Sequence, residues 1–346
     1  MTKQLTIAIP CYNRPKKLDK ILNVLLEEDT STFSILISDD STDNGVKELV
    51  GNYIVNHENI TYKKNIVNLG FSKNVSELYK LTQTKYVWFL CDDDSVFPGC
   101  VSSIIDEINK YKPSVAIFNC TWNDSYGLKR QAYTKDTYFH TDADNESIYS
   151  TMMRMSFLSL LVFEKDSEVL NRIKEFNYID NVFVQITLGL QILSLNFRLL
   201  ESSKIILHRN VGYKYGNFSK FILLDPLKSI YLVPHKFENK KFRRFFIEEL
   251  WNFYRLYLSQ KIGLYDYQQP ITRDSIVLII KYYGLYSIPI FISWIISLII
   301  PKFLVRGFYF VKILSLYGAK DSHAMYRKLV NRAYLDTRET GFITYK

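Results

Sequence analysis

Four cysteines stand in 346 residues, Cys11, Cys91, Cys100 and Cys120. They form no C-x-x-C pair and have no histidine cluster beside them, which argues against a zinc site and against a disulfide framework. No G-x-G-x-x-G follows the first apolar run, so the signature of a dinucleotide-binding dehydrogenase is missing. The N-terminal stretch MTKQLTIAIPCYNRP has no long apolar segment ahead of a small-residue cleavage site. No secretory leader is expected there, and the catalytic part is expected to be cytoplasmic. Low-complexity segments, internal repeats and nucleic-acid-binding motifs are also wanting. What is present is apolar material: hydrophobic residues make up 47% and aromatics 15%. That is enough for one large domain plus a smaller unit.

Charge is unevenly spread. Residues 1–200 hold 21 lysines and arginines against 25 acidic residues, net −4, whereas residues 201–346 hold 23 against 10, net +13. The second part is therefore suited to an anionic partner or surface.

Over the first 120 residues, strands and helices alternate. QLTIAI, FSILIS, NITYKKN, KYVWFL and SVAIFNC read as strands. RPKKLDKILNVLLEE, NGVKELVGNYI, SKNVSELYKLT and GCVSSIIDEINKY read as helices; the first places Leu18, Ile21, Leu22, Leu25 and Leu26 on one face. Such alternation predicts a three-layer α/β sandwich around a mainly parallel sheet. Residues 121–150 read as a long polar loop. MSFLSLLVFEK is expected as a strand, NVFVQITLGLQILSL as a helix and KIILH as a strand. Beyond about residue 215 the pattern turns helical and aromatic, as in NKKFRRFFIEELWNFYRLYLSQK.

One stretch poses a chemical question. YVWFLCDDDSVFPG ends a large apolar strand in three consecutive carboxylates, Asp92, Asp93 and Asp94. Adjacent carboxylates repel and are costly to desolvate without cations. The group is either a solvated loop or helix cap, or a ligand set. The other strand ends carry PCYNR and DDSTDN, and in parallel α/β sheets ligands gather at those ends. Hard oxygen ligands suit Mg²⁺ or Mn²⁺, with one or two carboxylates completed by phosphate oxygens.

LTIAIPCYNRPKKLDKIL, ILISDDSTDNG, NLGFSKN and YVWFLCDDDSVFP together resemble the successive motifs of family 2 glycosyltransferases with the GT-A (Rossmann-like) fold. The resemblance covers residues 4–120 and extends more loosely to about 210. The triple Asp and MSFLSLLVF are similar to the branch of O-antigen abequosyltransferases. It implies a metal-dependent, inverting transfer of a sugar from a nucleotide-sugar donor. The implied acceptor is a glycan, lipid-linked, in bacterial surface polysaccharide assembly. By the same resemblance Pro10, Tyr12, Asn13 and Asp39 take the nucleobase side. Asn68 and Lys73 match the family's N-x-G segment, Asp92 reaches the ribose, and Asp93 and Asp94 hold the metal. Cys91 stands where relatives often carry the first Asp of their acidic motif. Asp180 matches the family's base, with Ile179 in place of the usual Glu, and His208 matches a strand-end metal ligand. Asp180 also reads as a helix N-cap, His208 as a packed or solvated residue and Asp39 as a turn residue.

Asp92 to Val96 also fits D-x-D-x-V, the pattern of haloacid-dehalogenase-like phosphatases, but the acidic pair Asp39 and Asp40 lies upstream, the wrong order for them. A non-catalytic, membrane-associated binding protein of the same fold is the remaining alternative. Residues 1–215 are expected to form the GT-A domain and 216–346 a helical, basic extension. Within the extension, residues 282–301 carry no charge and have Lys281, Lys302 and Arg306 around them. That segment is read as lying in a membrane interface, as a buried helix or as a short span. The basic flanks suit anionic lipid at the cytoplasmic face of the inner membrane.

Overall fold

The computed structural model describes residues 3–123, 129–131, 136–141, 154–175 and 183–209. Asp180, the aromatic stretch after residue 238 and the uncharged stretch 282–301 lie outside the described residues.

The first 90 residues wind as read from the sequence. Strands β1 (Leu5–Cys11), β2 (Phe33–Asp39), β3 (Ile60–Lys64) and β4 (Tyr86–Phe89) are separated by helices α1 (Pro15–Leu26), α2 (Gly45–Ile54) and α3 (Phe71–Leu81). All four strands are parallel, in the order β3-β2-β1-β4. Parallel strands need a covering crossover, and a strand covered on both faces is apolar throughout. Every residue of β1 and of β4 is accordingly buried. Helix α1 buries Leu18, Ile21, Leu22 and Leu25, one stripe at helical spacing. Each such side chain removed from water contributes roughly 1.5–3 kcal/mol. Leu26, expected on that stripe, is only partly buried at its edge.

The strand order fixes where a ligand can enter. The chain steps outward from β1 to β2 to β3, then returns to the other side of β1 as β4. The switch point between β1 and β4 opens a crevice at their carboxyl ends. Pro10 helps to open it. Leu90 N–H donates to the Ala8 carbonyl. Pro10, two residues on, faces the same neighbour with no N–H to give, so the ladder stops there.

Beyond β4 the sheet becomes mixed. It continues through β9 (Leu161–Glu164), β6 (Val115–Asn123) and β10 (Leu199–Arg209) to the two-residue β5 (Ser95–Val96). Strand β9 runs antiparallel to both β4 and β6, and β10 runs parallel to β6. The segment 121–150, expected as a long loop, contains in its described parts the short strands β7 (Lys129–Gln131) and β8 (Tyr138–His140), which extend the sheet beside β6 and β10. MSFLSLLVFEK is strand only from Leu161; before it, Leu158–Leu160 form a 3-10 turn. The turn arises because Ser159 folds inward, where the Trp88 indole N–H donates to its carbonyl at 2.9 Å.

Helix α4 (Cys100–Tyr111) follows the acidic turn, and Glu28 at the end of α1 caps it, accepting from Val101 N at 3.1 Å and Ser102 N at 3.0 Å. Helix α5 (Ser167–Glu175) was not read from the sequence. Helix α6 (Val184–Leu195) is buried on all sides. A Cβ at its Gly189 would stand 2.5 Å from Met155 Sδ and 3.2 Å from the Phe163 ring, so glycine lets these side chains approach the helix and a larger residue would push Met155 aside. No helix among the described residues is long and apolar enough to cross a membrane.

Candidate active site

Three strand ends meet at the switch point. The turn after β1 carries Tyr12, Asn13 and Arg14; the turn after β2 carries Asp40, Ser41 and Thr42; the turn after β4 carries Asp92, Asp93 and Asp94. Residues 80 apart in sequence touch here. Tyr12 N–H donates to Asp92 Oδ2 at 3.1 Å, and Arg14 Nη1 donates to Asp92 Oδ1 at 2.8 Å and to Asp93 Oδ2 at 3.1 Å.

The β1 and β2 turns are laced together by Asn13. It adopts a left-handed backbone, φ 53°, which asparagine tolerates better than most residues. Its N–H donates to Ser41 Oγ at 2.8 Å, and its Oδ1 accepts from Thr42 N–H at 3.0 Å. Tyr12 beside it is 47% exposed, a ring free to lie against a planar ligand.

Asp39 and Asp40 are both buried. Asp39 accepts from Ser41 N–H at 2.9 Å, from the Tyr62 hydroxyl at 2.6 Å and from Lys64 Nζ at 3.0 Å. Burial pushes its carboxyl upward, but the bonds from Ser41, Tyr62 and Lys64 outweigh that and hold it below the ordinary carboxylate value. Asp40 serves the loop ahead of α3. Its oxygens accept from Leu69 N–H and Gly70 N–H, each at 2.8 Å, and from Asn65 Nδ2 at 3.1 Å. Gly70 has φ +76°, a conformation that favours glycine. Asn68 belongs to the same arrangement, donating to the Asp40 carbonyl and accepting from Gly70 N–H. Lys73 is exposed on α3.

The acidic turn is differently provided for. Asp92 is buried, and burial raises its carboxyl even though the Tyr12 N–H and Arg14 pull the other way. Asp94 is 7% exposed; burial, with Asp93 and Asp92 adding to it, raises its carboxyl to about 7 against the opposing Ser159 hydrogen bond. That bond is short: Ser159 Oγ donates to Asp94 Oδ2 at 2.6 Å and accepts from Cys91 N–H at 2.9 Å. Ser159 is a positioning residue that sequence reasoning missed, because its partners lie more than 60 positions away.

The ligand atoms of Cys91, Asp93 and Asp94 lie within 4.8 Å of one another. The two carboxylates fit a hard divalent cation. The thiol does not, since burial, Asp94 and Asp93 all push it upward and keep it protonated. Asp93 is the more open carboxylate, its side chain 23% exposed. His208 reaches this neighbourhood through the sheet. Strand β10 pairs with β5 so that His208 stands opposite Ser95, next to Asp94. Its Nδ1 is bonded to Thr121 Oγ1 at 2.9 Å.

With this geometry in place, comparison with known proteins is informative. Residues 6–170 match Glycosyl transferase family 2. That segment, a little under half of the chain, is similar to the family. The match falls on the motifs gathered here rather than on a phosphatase pattern. The GalNAc(5)-diNAcBac-PP-undecaprenol beta-1,3-glucosyltransferase of Campylobacter jejuni is 28% identical over 31% of this chain and 35% of its own. The abequosyltransferase RfbV of Salmonella typhimurium is 30% identical over 27% of this chain and 28% of its own. The chain thus matches about a third of each relative's length. S. aureus TarS 1-349 in complex with UDP-GlcNAc covers 81% of this chain and 80% of its own, with TM-score 0.58 and 15% identity. The Pyrobaculum calidifontis mannosyltransferase PcManGT, in complex with GDP-Man and Mn²⁺, covers 98% and 86%, with TM-score 0.54 and 10% identity. These two likenesses carry the GT-A fold and nothing finer.

Proposed function

We propose that this chain transfers a sugar from a nucleotide-sugar donor to a lipid-linked glycan in surface polysaccharide assembly. The observation that carries the proposal is the acidic turn at the switch point of a family 2-like domain, where Asp93 and Asp94 converge and where burial and the neighbouring carboxylates oppose the charge of Asp94. A divalent cation, Mg²⁺ or Mn²⁺, would be held by Asp93 and Asp94, with His208 beside them. When bound, it supplies charge neutralisation for a departing diphosphate. The chain's own groups do the rest. Tyr12 and Asn13, steadied by Ser41 and Thr42, form a cup for the base. Asp39, fully buried and held ionised by Ser41, Tyr62 and Lys64, keeps that cup rigid from behind rather than meeting the base itself. Asp92, buried and fixed by the Tyr12 N–H and Arg14, braces the turn behind the place of the ribose. Asp180 is assigned as the base that deprotonates the attacking hydroxyl, giving inversion at the anomeric carbon.

The lipid-linked acceptor is supported by the undecaprenol-linked acceptor of the C. jejuni relative and by the net +13 of residues 201–346, which suits an anionic membrane face. The test is a panel of nucleotide sugars offered to the full chain with undecaprenyl-linked acceptors, with Mg²⁺ or Mn²⁺ and with EDTA. Metal-dependent transfer from one donor supports the reading. Intact donor across the whole panel would favour the non-catalytic binding protein.

A further inference from the structure

Arg14 hydrogen-bonds the acidic turn from across the switch point. It is placed by the turn after β1, immediately before Pro15 opens α1. A single nitrogen, Nη1, serves both Asp92 Oδ1 at 2.8 Å and Asp93 Oδ2 at 3.1 Å. The two carboxylates differ in what else they do. Asp92 is 5% exposed in its side chain, and its other oxygen takes the Tyr12 N–H. It is therefore part of the scaffold. Asp93 is 23% exposed and belongs to the group that converges with Asp94 and Cys91. Arg14, with 34% of its side chain exposed, has room to turn.

A guanidinium and a divalent cation drawn to the same carboxylate repel each other. Arg14 therefore weakens the hold of the turn on a metal ion arriving alone. A diphosphate changes the balance. It brings at least two negative charges, and a guanidinium pairs with phosphate oxygens in a two-toothed geometry that one shared nitrogen on two carboxylates does not offer. We propose that Arg14 makes metal binding conditional on the donor's diphosphate. It holds Asp93 when no diphosphate is present, and passes to the diphosphate when donor arrives, which releases Asp93 to the ion. The inference rests on the metal-dependent reading above. Its consequence is that ion and nucleotide bind cooperatively, with a large part of the coupling residing in this one side chain.

The experiment is a Mn²⁺ titration of the full chain, with free Mn²⁺ followed by electron paramagnetic resonance. It is run alone and with an equimolar mixture of UDP, GDP, CDP and dTDP. For wild type, Mn²⁺ should bind weakly alone and about tenfold or more tighter with the nucleotides. Arg14→Gln should bind Mn²⁺ alone about tenfold tighter than wild type and lose most of the nucleotide effect. Because Arg14→Gln leaves buried Asp92 without its cation, the paired variant Asp92→Asn with Arg14→Gln is titrated beside it. A folded double variant showing the same tightening supports the proposal. Wild type that binds Mn²⁺, with either variant binding it no tighter alone, overturns the role of Arg14 and leaves the metal site standing. Wild type that binds no Mn²⁺ under either condition overturns both.

Discussion

Replacing Asp94 by Asn should make the metal-free protein more stable, and increasingly so as pH rises. Asp94 is 7% exposed, and its carboxyl is raised from 3.8 to about 7. The unfolded chain ionises this group near 3.8, whereas the folded chain resists until about 7. The penalty is absent below the unfolded value. It grows as pH rises between the two values and is complete above the folded one. Three units at about 1.36 kcal/mol each give about 4 kcal/mol at pH 8, and about 2 kcal/mol at pH 5. Asn keeps the acceptor for Ser159 Oγ, and its amide can donate toward the neighbouring carboxylates. Thermal unfolding in EDTA reads the effect. At about 2–4 °C per kcal/mol, Asp94→Asn should melt about 10 °C above wild type at pH 8 and about 4 °C above it at pH 5. Mn²⁺ should return stability to wild type and little to the variant. A gap that does not widen with pH, or a variant less stable than wild type at pH 8, would refute the argument that this carboxylate is held against its charge.

Asp93→Asn should abolish metal-supported transfer while leaving the melting temperature in EDTA near wild type, because this carboxylate is the open member of the turn; turnover with and without added Mn²⁺ checks it. Asp180→Asn is nearly isosteric but is no base, so turnover should fall by about 10²-fold with donor affinity little changed; turnover near wild type removes Asp180 from the chemistry, and the capping role read for it is not needed by the helix that follows, whose N-cap is Phe183. Tyr62→Phe removes a 2.6 Å bond to buried Asp39 and should cost about 1–3 kcal/mol. Asp39 is held below its ordinary value, so its contribution is present above that value and lost as pH falls through the depressed one. Tyr62→Phe should therefore begin acid unfolding at a higher pH than wild type, followed by circular dichroism.

The alternation of β1 through β4 with α1 through α3 was legible because β1, β2 and β4 are largely apolar and buried and each helix carries one apolar stripe, while β3, ITYKK, is an edge strand marked mainly by its place in the alternation. The motifs at their ends were legible for the same reason, since strand ends in such a sheet point one way. The second half of the sheet was less legible. Strand β5 has two residues, and β7 and β8 have three each; they exist through pairing with β6 and β10, and no local period marks them. The contacts that set the site were least legible. Arg14 sits in a motif that was read, yet its bridge to Asp92 and Asp93 spans nearly 80 positions. Ser159 lies in a run that reads as plain strand, and its inward hydroxyl is seen only when β9 has been laid beside β4. Asp40 was read as one of a pair, while its work is to hold the backbone of 69 and 70.

The two acidic clusters show why composition alone could not say which one awaits a cation. Asp39 and Asp40 stand side by side, both buried, as tightly packed as Asp92 and Asp94. But Asp39 has a lysine, a phenol and a backbone N–H, and Asp40 has two backbone N–H groups and an amide. Their charge is compensated inside the fold, so they act as struts between β2, β3 and the α3 loop. At 92–94, one guanidinium nitrogen bonds two carboxylates, and the hydrogen bond to the third carboxylate comes from a neutral hydroxyl. Burial there raises Asp92 and Asp94, the reverse of Asp39. Carboxylates held against their charge in this way are relieved when a cation binds beside them. The metal–diphosphate reading therefore belongs to the turn after β4, and the turn after β2 supplies the rigid wall against which a base can rest.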